Sequence, residues 1–116
     1  MSHSLPRVWI HGVFGTKYRQ PLLKDDIRED LMRHIRVEME KMGCGVRCIN
    51  GTPDHIHVLF LLPRNLSLAQ VMKSVKGESS RWMNQNKTVL GNFSWQVGYG
   101  VFSVSESAVK RVERYI

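Results

Sequence analysis

Asp54-His55-Ile56-His57-Val58-Leu59-Phe60-Leu61-Leu62 is the stretch whose reading decides the fold. β-branched and apolar residues dominate it, and the turn-forming run Asn50-Gly51-Thr52-Pro53 stands just before it, which together mark a strand. Side chains two apart on a strand point the same way. His55 and His57 therefore leave one face, while Ile56, Val58, Phe60 and Leu62 leave the other. Two neutral imidazoles side by side on a rigid element are a ready pair of metal ligands.

The flanking elements follow from that strand. Residues 45–50 (Gly-Val-Arg-Cys-Ile-Asn) read as a second strand antiparallel to it. Asn50-Gly51 supplies a hairpin signal, and Thr52-Pro53 lengthens the loop. Further upstream, Asp25 and Asp26 open a helix with Glu29 in its first turn, where acids are favoured. Ile27, Leu31, Ile35 and Met39 recur every four residues, Met42 closes the stripe, and Gly43 suits the residue just past a helix end. Residues 7–14 have strand composition, with Val8, Ile10, Gly12 and Phe14 on one face and Trp9, His11 and Val13 on the other. A loop over 15–21 carries Lys17, Tyr18 and Arg19.

Downstream, Pro63-Arg64-Asn65 breaks the chain. Ser67 caps a second helix and Gln70 completes a capping box. Its apolar side is Leu68, Val71, Met72, Val75, Trp82 and Met83, interrupted at Gly77-Glu78-Ser79-Ser80. Residues 84–92 form a polar loop. Residues 93–104 read as a last strand region, bent at Gly98 and Gly100. Ser103 or Ser105 caps a third helix, with Ser103-x-x-Glu106 fitting the capping box and Val109, Val112 and Ile116 as its apolar line. The order β-α-β-β-α-β plus a final helix is that of an α+β, ferredoxin-like antiparallel sheet with two helices on one face. The whole chain, 1–116, reads as one domain.

Composition narrows the function. The hydrophobic share of 42% and charged share of 23% are ordinary for a globular domain. No apolar run approaches the roughly 20 residues of a membrane span, and residues 1–6 lack the apolar stretch of a secretory leader. Cys44 and Cys48 are too few for a disulfide framework, so a reducing cytoplasm is the expected compartment. Their C-x-x-x-C spacing is a weak zinc signal, and two free thiols is the simpler reading. The net charge of +7 suggests a polyanionic partner, nucleic acid first.

Several segments together are more specific. Phe14-x-Thr16-Lys17-Tyr18-Arg19, Gly51-Thr52-Pro53-Asp54-His55-Ile56-His57-Val58, Lys76-Gly77-x-Ser79-Ser80-Arg81, Trp95-Gln96-x-Gly98-Tyr99 and Phe102-Ser103-Val104-Ser105 occur in this order across most of the chain. With a tyrosine on the last helix, the series resembles the single-tyrosine HUH transposases of bacterial insertion sequences and their relatives, the REP-associated tyrosine transposases.

That resemblance implies cutting and rejoining of single-stranded DNA at hairpin-marked element ends, through a 5′-phosphotyrosine intermediate. It implies Mg²⁺ or Mn²⁺ on His55 and His57, although imidazole alone would equally suit Zn²⁺ or Ni²⁺. Tyr18, Tyr99 and Tyr115 are all available as nucleophile by residue type; the family's placement selects Tyr115. A glutamine one helical turn after this tyrosine supplies the family's third metal ligand, which is expected beyond Ile116, the C-terminal helix being incomplete in this chain. The resemblance further implies a homodimer in which the tyrosine helix of one subunit can serve the histidines of the other. Leu59 and Leu61, beside the histidines, need cover, which a two-fold pairing would provide.

Lys17, Arg19, Lys73, Lys76 and Arg81 are candidates for phosphate contacts, and Tyr18 for stacking on an unpaired base. For each of these the competing reading is a solvated basic face. His11 reads as a satisfied structural histidine, Asp54 as a turn residue or a partner behind the ligands, and Glu78 as an outside candidate for a further ligand; His34 has no evident role. A non-catalytic relative that grips hairpin or single-stranded DNA is the alternative function.

Overall fold

The computed structural model describes residues 7–116; residues 1–6, read above as lacking a leader, lie outside the described part. The chain runs β1 (Trp9–Gly15), α1 (Asp25–Lys41), β2 (Gly45–Thr52), β3 (His55–Leu61), α2 (Leu68–Gln85), β4 (Gly100–Val104) and α3 (Val109–Tyr115), with short 3-10 turns at Lys17–Arg19 and Glu106–Ala108. The strands form one sheet in the order β2-β3-β1-β4, antiparallel at every pairing. The α+β, ferredoxin-like arrangement expected from the sequence is the one observed.

The core lies between the sheet and the first two helices. Ile10 and Phe14 of β1 and Ile56, Val58 and Phe60 of β3 meet Leu31, Ile35 and Met39 of α1 and Val71, Met72, Val75 and Met83 of α2, all buried. These residues follow the period-2 spacing of a strand or the three- and four-residue spacing of a helix, so local pattern and burial agree. Phe60 is fully buried in this cluster. Phe60→Ala is expected to cost about 3–5 kcal/mol, a large share of the roughly 5–15 kcal/mol that holds a domain of this size. The fall in urea midpoint measures it; a loss under about 1 kcal/mol would mean that the site collapses around the smaller side chain.

The opposite face holds a second, smaller cluster: Trp9, Leu59 and Val109, with Leu61, Cys48, Val104, Val112 and Ile116 against it. Leu59 is thus covered by the chain's own α3 rather than by a second subunit. Three further contacts fasten α3: Trp9 Nε1 donates to Glu106 at 2.8 Å, Arg47 pairs with Glu113 at 3.1 Å, and Asn50 Nδ2 donates to the Ile116 carbonyl at 3.0 Å. Cys44 belongs to the first cluster and Cys48 to the second, so they cannot share a metal. Burial pushes both thiols up, Cys44 to about 11, which disfavours the free thiolate.

Several local expectations change. The β2–β3 hairpin turns at Pro53 and Asp54, since Thr52 pairs with His55; Asn50 and Gly51 lie inside β2. Gly51 is needed for space: a Cβ there would stand 2.7 Å from the His55 carbonyl oxygen. Gly43 has φ +92, the left-handed conformation expected after a helix. The Ser67–Gln70 capping box forms with both hydrogen bonds.

Helix α2 runs unbroken through Gly77-Glu78-Ser79-Ser80 because buried Ser79 is satisfied: it donates to Val75 O at 2.6 Å and accepts from Trp95 Nε1 at 2.9 Å. Residues 93–99 are not strand; their one ladder contact is the Thr16–Trp95 bridge. Ser103 lies within β4 and no side chain caps α3, whose N-cap is Ala108. Glu106 is spent on Trp9 instead, which accounts for the missing capping box.

Candidate active site

The histidine face of the sheet is built at the start of β3. His55 and His57 project together, their ring centroids 4.8 Å apart at 66°. The Asp54 carboxylate lies 2.6 Å from His55 Nδ1, and Thr52 Oγ1 lies 2.9 Å from it. An ionised carboxylate can only accept, so Nδ1 carries the proton and Nε2 is the nitrogen left to face a ligand. Above all this bond, and also Thr52 and Arg19, holds the Asp54 carboxyl below the usual carboxylate range. Ligating histidines are commonly oriented by a carboxylate in this way.

His57 is oriented by a different partner, His11 of β1. His11 Nε2 and His57 Nδ1 are 2.9 Å apart and the rings stack at 5.1 Å. For His57 to offer Nε2 to a cation, its Nδ1–H must donate to His11 Nε2, which puts the His11 proton on Nδ1. Burial, followed by the neighbouring His55 and His11, pushes His57 down to about 4, and burial lowers His11 as well. Both rings are therefore neutral near pH 7, as metal ligation requires. His11 carried no functional expectation from sequence. The only signal was that it shares a strand face with Val13, which pairs with His57.

The depressed His57 value has a stability consequence. The unfolded imidazole takes a proton near pH 6.5 while the folded one resists it to about 4. The unfolded state thus binds more protons in that window, so stability rises with pH there and is lost on acidification from about 6.5 toward 4. Denaturation in EDTA at pH 7.5 and at 5 is expected to display this loss, and His57→Gln is expected to reduce it. Equal losses in the two proteins would assign the effect to other groups.

Tyr115 stands beside His57 and His11. Its ring centroid is 6.2 Å from those of both His57 and His11, edge-on at 82° and 74°, and the residue is 75% exposed. Tyr99 is also exposed and lies under the Lys76 ammonium, 5.9 Å away. Tyr18 sits at the loop after β1. Of the three tyrosines, Tyr115 is the one with rings of the histidine group beside it.

The remaining candidates divide by position. Arg19 reaches Asp54 at 3.4 Å, and with His55, Val13, Gln96 and Tyr99 it lines an open cleft of about 330 Å³. Tyr18 and Arg19 have φ of +58 and +56, costly for non-glycine residues, and are held by the buried Thr16, whose hydroxyl donates to Gln20 O at 2.7 Å. Lys17 lies over the Tyr18 ring.

Lys76 donates to Gln96 O at 2.7 Å and to Gly98 O at 2.6 Å, so it staples the far wall of the cleft and is not a free cation. Lys73 is exposed one turn earlier on α2. Arg81 is engaged by Glu78 on the helical layer, which is across the sheet from the histidines. Glu78 is accordingly remote from the pair.

The order of strands, a histidine pair and a tyrosine held over it by a C-terminal helix is the arrangement that the comparisons with known proteins bear on. A family model described as transposase IS200-like matches residues 4–116. The chain belongs to this family. The ISDra2 transposase TnpA of Deinococcus radiodurans is 25% identical to the transposase over 111 residues, covering 91% of this chain and 79% of that protein. A crystal structure of a candidate transposase from Deinococcus radiodurans R1 has a TM-score of 0.82 at 24% identity, over 99% of this chain and 92% of that one. A REP-associated tyrosine transposase bound to a REP hairpin has a TM-score of 0.65 at 17% identity, over 97% and 68%. The two structures establish a shared fold. Among the described residues no helix of the transposase is long and apolar enough to cross a membrane.

Proposed function

We propose that this transposase cuts and rejoins single-stranded DNA, with Tyr115 as nucleophile and His55 and His57 as histidine ligands of Mg²⁺ or Mn²⁺. The observation that carries the reading is the exposed Tyr115 ring 6.2 Å from His57, on the same open face as two imidazoles with Nε2 free. The donor set fits a cation: both rings lie on one strand and are oriented by hydrogen bonds from behind, and burial keeps His57 neutral near pH 7. A divalent cation bound there would supply Lewis-acid polarisation of the phosphodiester.

The other steps belong to the chain. The Tyr115 hydroxyl attacks the phosphorus and gives up its proton. The bond to the 3′ oxygen breaks, and that oxygen leaves as a 3′-hydroxyl. The 5′-phosphate is then an ester of Tyr115, and attack by a 3′-hydroxyl reverses the reaction without ATP. Arg19 at the cleft and Lys17 beside it offer charge to the backbone, and Tyr18, 79% exposed, offers a stacking surface. A hairpin at the element's end is the substrate class, as the REP hairpin bound by the structural relative suggests. We propose a homodimer as well; within one chain Tyr115 already faces its own histidine pair, so cleavage in cis is open to each subunit.

The test is a labelled single strand carrying a hairpin, incubated with Mg²⁺ or EDTA and separated under denaturing conditions. A metal-dependent, slow-migrating covalent adduct is expected. Tight binding with no cleavage in any divalent metal would favour the binding-only alternative.

A further inference from the structure

On the helical side of the sheet, away from the histidine pair, one nitrogen of His34 and one carboxylate oxygen each of Glu38 and Glu78 lie within 4.8 Å of one another. We propose that these three residues form a second cation site, for a zinc-class transition metal, that ties α1 to α2.

Placement comes from two helices. His34 and Glu38 are four apart, so they stand one above the other on α1. Glu78 faces them from α2. One observation points to a ligand independently of the carboxylates: His34 Nε2 is buried and has no hydrogen-bond partner among the described residues. An orphaned buried nitrogen costs about 1–3 kcal/mol, a cost that a cation bound through Nε2 would relieve. The ring is also pre-oriented, stacked on Trp82 at 5.4 Å and 20°.

The carboxylates are sheltered, their side chains only 22% and 32% exposed, which strengthens their pull on a cation. At present each is shared with a cation of its own helix. Glu78 accepts from Arg81 Nη2 at 2.6 and 2.8 Å and from its Nε at 3.1 Å; Glu38 accepts from Lys41 Nζ at 3.1 Å. A cation at the cluster would have to displace or share these partners, the single Lys41 contact more easily than the bidentate Arg81 fork. Tetrahedral zinc with bonds of about 2.0–2.1 Å holds its ligands about 3.3 Å apart. The three ligand atoms already lie within 4.8 Å of one another. An imidazole with two carboxylates and water suits zinc better than magnesium.

The proposal does not depend on the transposition chemistry, and its test keeps the two apart. Equilibrium dialysis with Zn²⁺ is done on the full chain carrying His55→Ala and His57→Ala, which removes the other pair. One equivalent of zinc is expected to remain bound, and the melting temperature is expected to rise with zinc concentration. Adding His34→Gln, or separately Glu78→Gln, is expected to weaken binding at least tenfold and to abolish the rise, each rise being read against the metal-free melting temperature of the same variant. Two variants on different helices guard against a folding defect in either. No bound zinc in the parent, or binding unaffected by both substitutions, overturns the proposal.

Discussion

Tyr115→Phe is expected to abolish the covalent protein–DNA adduct and to lower strand cleavage by about 10⁴-fold or more, the usual scale for loss of a nucleophile. The change deletes one oxygen. Tyr115 is 75% exposed and its hydroxyl takes part in no hydrogen bond among the described residues, so the fold has little reason to respond. DNA affinity and melting temperature should therefore match wild type, which separates lost chemistry from lost structure. The denaturing gel decides it: an adduct that persists at wild-type yield would move the nucleophile to Tyr18 or Tyr99. Tyr99 is the less suited of those, since it packs beneath Lys76 at the cleft wall.

His57→Ala is expected to come next in size. Loss of one of the two histidine ligands removes most of the metal's contribution, several kcal/mol of transition-state stabilisation, or about 10³-fold in rate for about 4 kcal/mol. Binding of hairpin DNA should survive, because phosphate contacts come from the basic loop and not from the imidazoles. Asp54→Asn should be milder, about 10–100-fold in metal affinity, since it removes only the charge of the acceptor that orients His55. Raised Mn²⁺ should rescue Asp54→Asn and leave His57→Ala impaired. The ranking is the informative part. If Asp54→Asn proved as damaging as His57→Ala, the carboxylate would be acting on the cation or the substrate directly.

The interior of this transposase is written locally. The period-2 alternation of 54–62, the four-residue stripe of Ile27, Leu31, Ile35 and Met39, and the Ser67–Gln70 cap each specify an element and its buried face from a few neighbours in sequence. The same alternation put His55 and His57 on one side together, and the series of motifs around them pointed to the family that the chain belongs to. These features depend on backbone geometry repeated within one element, so sequence alone determined them.

Longer-range features were decided by tertiary structure. A register shift at Arg47 in β2 switches the parity of the strand: Val46 pairs with Phe60 on the core side, while Cys48 pairs with Leu59 on the other. Strict alternation would have put Val46 and Cys48 on one face, and no local residue announces the bulge. The same shift sets Asn50 opposite His57, where it can hold the end of α3. The His11–His57 bond joins residues 46 apart, and it exists because β1 and β3 meet in one particular register. Tyr115 is carried over the histidines by Val109, Val112 and Ile116 docking on Trp9 and Leu59, contacts between opposite ends of the chain. Pairing register and helix docking are settled by the sum of distant contacts, which is why the histidine strand could be read from sequence while the residues that complete its site could not.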